Sequence, residues 1–172
     1  MHFAATAKTD ASDVITELHA RGVAADAKGK GVWVASVDCG DGYTPLHLCE
    51  HAGSARTLMS LGADPDAFGV LDHSNMGTAT FMAAANGRAS VLKALFDAGA
   101  LPSPSYAWWA AKMGKAEVVK MMIDRGNLDL GYKRDGKTFI QAAIAAGRSN
   151  KNLAKKAEAI VGMLRGAGAL EA

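Results

Sequence analysis

Residues 47–51 read His-Leu-Cys-Glu-His. Two imidazoles four residues apart, beside a carboxylate, could hold a zinc ion and activate a water for hydrolysis. That chemistry needs a helix long enough to carry both histidines, a third ligand downstream and a water held by Glu50. Pro45 instead suits the first position of a short helix of about seven or eight residues. No third ligand is evident. His47 and His51 would share a face of that helix and could pick up adventitious metal, but a zinc hydrolase is only the rival reading.

The other reactive patterns are weaker still. The glycine alternation in "KGKGVW" (28–33) lacks the G-x-x-x-x-G-K-[ST] order and the strand–helix pair of a phosphate loop. It continues into "VWVASVD", whose period-two pattern predicts a short β-hairpin carrying Trp33 as a packing anchor or an exposed contact. No G-x-S-x-G, no recognisable carboxylate pair and no Cys near a His outside 47–51 is present. The sequence therefore assigns no catalytic, cofactor or metal residues. Cys39 and Cys49 make no disulfide framework, so a reducing compartment is the simpler reading, with Cys49 a small core residue.

Composition bounds the class. The chain has 172 residues, 49% of them apolar and 21% charged, enough for one ordinary domain with its own core. Its longest apolar runs fall far short of the ~20 residues that cross a bilayer. The N-terminus lacks the basic and apolar stretches of a secretory signal, so a cytoplasmic chain is expected, with a processed exported chain as the alternative. Net charge is +2 but uneven: residues 1–104 hold seven Lys/Arg against eleven Asp/Glu, and 105–172 hold twelve against six. The basic half includes "YKRDGK" (132–137) and "RSNKNLAKK" (148–156). Nucleic acid is disfavoured, because no aromatic-interleaved platform or groove-reading helix accompanies these charges. A solvated face, or one steering an acidic protein, fits them better.

A repeat accounts for the opening histidines. Residues 41–67 run Asp41-Gly42, then Thr44-Pro45-Leu46-His47, then Gly53, then Gly62-Ala63-Asp64. Thr44 suits an N-cap, and Gly53 and Gly62 suit two helix ends. Related segments follow at 77–100, 103–130 and 135–150, and their N-caps are read as Thr78, Ser105 and Thr138. Apolar stripes at helical spacing support each segment: Val14, Ile15 and Leu18; Val91, Leu92 and Leu95; Val118, Val119 and Met122; and Leu153, Ala157, Ile160, Val161 and Leu164. The first segment closely resembles an ankyrin repeat, and the register extends the resemblance over about residues 10–168.

The resemblance implies an all-α ankyrin-repeat solenoid of about four helix-pair repeats with N- and C-terminal capping helices. It forms one domain over 1–172, with the first cap at about 10–21 and repeats at about 41–68, 75–100, 103–130 and 135–168. His47 is then the family's structural histidine. The linking fingers depart from the pattern. Those before Thr44 and Thr78 are enlarged, the one before Ser105 is largely missing, and the last repeat carries an insertion near 149–157.

The resemblance also implies that function is recognition of a protein partner through the concave surface and fingers. The partner could be an enzyme or toxin, blocked by an inhibitor or immunity-type protein. A scaffold or adaptor is the alternative, and the unbound chain is expected to be a monomer without a membrane partner. Carried over by position, the contact candidates are Trp33, Asp41 and Tyr43 before the first full repeat, and Phe68, Asp72 and His73 in the second finger. His51, Asn86, Trp108, Lys112 and Met113 follow from the first helices, and Tyr132, Arg134, Asp135 and Lys137 from the last finger. Trp108 is read as partly exposed because its adjoining finger is short, and Trp109 as the core residue of the pair.

Overall fold

A computed structural model describes residues 2–5, 9–25, 43–72, 75–126 and 128–169. Trp33, Asp41, His73 and the hairpin expected at 32–38 lie outside the described residues. The elements are α1 (His2–Ala5), α2 (Ser12–Ala20), α3 (Pro45–Leu48), α4 (Ala52–Ser60), β1 (Phe68–Asp72), β2 (Asn75–Thr78), α5 (Ala79–Asn86), α6 (Ala89–Asp97), α7 (Pro104–Lys112), α8 (Ala116–Asp124), α9 (Phe139–Ser149) and α10 (Lys151–Gly166). They are overwhelmingly helical, as the repeats require.

The chain divides into two compact units, one of residues 1–83 with 90–101 and one of 84–89 with 102–172. In the first, α3 packs on α1 and α4, and α2 on α4. Ile15, Leu46, Leu58, Leu92 and Leu95 are fully buried there, each worth about 1.5–3 kcal/mol of transfer free energy. Val14, expected on the same stripe as Ile15, is 54% exposed. In the second unit α9 packs on α7 and α10, and α8 on α7 and α10, around Trp108, Val118, Val119, Phe139, Ile160 and Leu164.

Helix ends follow side-chain chemistry. Pro45 opens α3 after Thr44, and Phe81 N–H donates to the Thr78 hydroxyl at 3.1 Å at the start of α5. Thr138 and Gln141 close a reciprocal capping box on α9: the Gln141 side chain accepts from Thr138 N–H at 3.0 Å, and the Thr138 hydroxyl accepts from Gln141 N–H at 3.2 Å. The cap of α7 is Ser103, not Ser105, because Pro104 takes the first helical position and Ser105 N–H donates back to the Ser103 hydroxyl. The supposed insertion at 149–157 contains Asn150, which accepts from Asn152 N–H at 2.9 Å as the cap of α10, and that helix's first turns.

Gly53, read as a helix end, lies inside a helix, and so does Gly147. Gly53 sits in the first turn of α4, where a Cβ would run into the Asp10 carboxylate. Gly147 sits in α9, where a Cβ would come 2.9 Å from Ala157 Cβ on α10. Both are places of close approach and not of unusual backbone. The second finger holds an antiparallel hairpin, with Phe68 opposite Thr78 and Val70 opposite Met76 and a register irregularity between Val70 and Asp72.

Candidate functional site

His47 is held on both ring nitrogens. Nδ1 accepts from Thr44 N–H at 3.2 Å and lies 2.9 Å from the Thr44 hydroxyl, while Nε2 lies 3.1 Å from the Gly77 carbonyl. A carbonyl only accepts, so Nε2 carries the proton and Nδ1 the lone pair, the neutral tautomer fixed by its network. The ring therefore ties the start of α3 to β2, and neither nitrogen is left for a metal. Helix α3 is four residues long and closes at Cys49, so His51 does not share its face. His51 is instead the N-cap residue of α4. Among the described residues no group of three or more His, Cys, Asp or Glu could hold a metal.

Tyr43, expected at a finger tip, is 3% exposed and stacks on the His47 ring with centroids 4.7 Å apart. Its ring packs the base of α3 and does not face a partner. Phe68 is 59% exposed on β1, Asn86 is exposed at the end of α5, and Asp72 lies in β1. His51 is half-buried. It lies near Asp10, whose carboxyl is held below the usual carboxylate range by the Ser12 hydroxyl. Burial opposes this shift, and the Ser54 hydroxyl, Ser12 N–H and the His51 charge add to it.

The second unit brings the largest group of candidates together. Trp108 is 2% exposed, contrary to expectation, and its Nε1–H donates to the Lys137 carbonyl at 2.9 Å. It stands five residues after its cap where His47 stands three after Thr44, yet it makes a similar bond to a carbonyl just before the next repeat's cap. An indole N–H can serve there as well as an imidazole N–H, and it explains why the larger ring faces inward. The same carbonyl accepts from Arg134 N–H at 3.1 Å, and Lys137 N–H donates to the Arg134 carbonyl at 2.9 Å. Asp135 and Gly136 turn this finger with φ of 51° and 71°, the left-handed pair of a tight hairpin turn, which tolerates Asp and favours Gly.

Trp109 takes the half-buried place beside it. The two indoles meet edge to face at 5.6 Å. Lys112, three and four residues on, lies on the same helix face, with Nζ 4.6 Å from the Trp109 centroid and 5.3 Å from that of Trp108. Arg134 returns from the finger to lie 5.3 Å over Trp109. Tyr132 stands half-buried against Phe139, with centroids 6.0 Å apart. Among the described residues, Lys112, Arg134 and Lys137 have no carboxylate partner.

Trp108, Lys112 and Lys137 of this group border a half-open groove of about 370 Å³. Lys112, Met113, Asp135 and Lys137 stand at its edge; Ala146 and Leu153 supply apolar lining. Met113 is 47% exposed. Sequence reasoning named Lys112, Met113, Arg134, Asp135 and Lys137 one by one. It missed Trp109, although two cations within helical and finger reach of an indole could have signalled its role.

The ankyrin repeat family model matches residues 41–69. No curated protein sequence matches the chain. Solved structures do, among them an ankyrin repeat domain from Acinetobacter baumannii AYE. It is 21% identical, with a TM-score of 0.70 over 98% of this chain and 81% of that one. Ankyrin repeats are generally protein–protein interaction modules. Among the described residues no helix is long and apolar enough to cross a membrane. Residues 41–69 are similar to an ankyrin repeat, and the fold around them is like that of an ankyrin-repeat domain.

Proposed function

We propose that this chain binds one particular protein and acts by occupying its surface, as an inhibitor or immunity-type protein does. The observation that carries the reading is a set of three cations, Lys112 and Lys137 at the edge of a preformed groove and Arg134 beside them over Trp109, none with a carboxylate partner among the described residues. Cations arranged only for stability would gain more from a carboxylate neighbour than from exposure, whereas cations awaiting a partner keep their donors available. Inhibition by occupancy asks for surface complementarity and no catalytic group from this chain.

The test is affinity isolation from the native source with wild type and Tyr132→Ala/Arg134→Ala, followed by assay of the retained protein's activity against added chain. The expected result is one stoichiometric protein, at least tenfold depleted with the variant and inhibited by wild type. Retention of no protein, or of nucleic acid alone, overturns the reading.

A further inference from the structure

The chemistry of the groove specifies more than the existence of a partner. We propose that it takes an acidic peptide segment in which glutamate or aspartate alternates with aliphatic side chains. This rests on the protein-binding reading and adds the class of sequence recognised.

Charge complementarity argues for the acidic part. Lys112 and Lys137 border the groove and Arg134 stands beside them, against one carboxylate, Asp135. Asp135 forms no ion pair with them among the described residues. Lys112 and Arg134 are positioned by indole faces. A π face orients a cation while leaving its N–H donors for a ligand, and Arg can then meet a carboxylate with two parallel bonds.

The lining argues for the aliphatic part. Ala142, Ala145, Ala146 and Leu153 present small apolar groups, and Met113 adds an adaptable exposed thioether side chain. A volume of about 370 Å³ is near the low end of the ~300–1,000 Å³ typical of ligand sites, which suits a few side chains of an extended segment. Single-stranded nucleic acid, the other polyanion, binds by stacking bases on open aromatic faces. The aromatic lining here is Trp108, which is buried.

The experiment titrates the full chain into fluorescein-labelled dodecamers, read by anisotropy: alternating Glu-Leu, alternating Gln-Leu, and oligo-dT. Glu-Leu should saturate with at least tenfold higher affinity than Gln-Leu and weaken severalfold between about 50 and 300 mM salt, as screening requires. Lys112→Glu/Arg134→Glu should lower its affinity at least tenfold. Lys155→Glu/Lys156→Glu, the same charge change on exposed positions of α10, should change it less than twofold. Met113→Asp, at an exposed position where folding is not at stake, should lower it at least threefold.

Equal affinity for Glu-Leu and Gln-Leu, equal losses in the two charge-reversal pairs, or tighter binding of oligo-dT would each overturn the proposal. If the protein isolated above stays bound to Lys112→Glu/Arg134→Glu, the groove assignment fails while the protein-binding reading stands. If wild type retains no protein, the reading itself fails.

Discussion

Between His47 and Trp108 one task passes from an imidazole to an indole: each sends a ring N–H from the first helix of a repeat to a carbonyl of the next finger, Gly77 at 3.1 Å and Lys137 at 2.9 Å. The pairing explains why a zinc-like sequence around His47 is structural, since Nδ1 is occupied by Thr44 and Nε2 by Gly77. Accordingly, a chelator should leave the unfolding temperature unchanged, and a zinc-dependent rise in Tm abolished by His51→Ala would contradict this assignment. Trp108→Phe keeps most of the buried ring and removes the donor. Urea denaturation should show a loss of about 0.5–1.5 kcal/mol, the net worth of one hydrogen bond, because the Lys137 carbonyl keeps its bond from Arg134 N–H. Trp108 was misjudged from sequence because a short adjoining finger suggested exposure. Burial is decided instead by the Lys137 carbonyl, 29 residues away.

At the scale of elements, close approach governs where glycine and acid side chains stand. Gly147 lets α9 and α10 meet, so Gly147→Ala should cost about 1–3 kcal/mol by overpacking, read from the shift in urea midpoint. Asp10 joins the start of α2 to α4 by accepting from the Ser12 and Ser54 hydroxyls. Its carboxyl is depressed in the folded state. The stability it contributes is present above the unfolded value near 3.9 and disappears as pH falls through the lower folded value. Asp10→Asn should therefore flatten the pH dependence of stability below about pH 4, and an unchanged acid limb would show that these bonds contribute nothing. Helix starts with a Thr or Ser cap were readable, as at Thr44, Thr78 and Thr138. The hairpin at 68–78 was not, because its register depends on pairing across the turn more than on residue alternation.

For the whole molecule, the repeat pattern was readable because the same order recurs, a cap, a short apolar helix, a turn and a second helix, although the spacing between caps varies. The recognition chemistry was less so. Lys112 lies far in sequence from Arg134 and Lys137, and only the finger's return over α7 sets Lys112 and Arg134 at one indole and Lys112 and Lys137 beside one groove. The central claim is that a protein partner seats on α7 and the 132–137 finger, and hydrogen–deuterium exchange of the purified complex tests it most directly. Slowed exchange over 104–113 and 132–150 on binding is the expected result. Protection confined to 43–72, with those segments unchanged, would contradict the account.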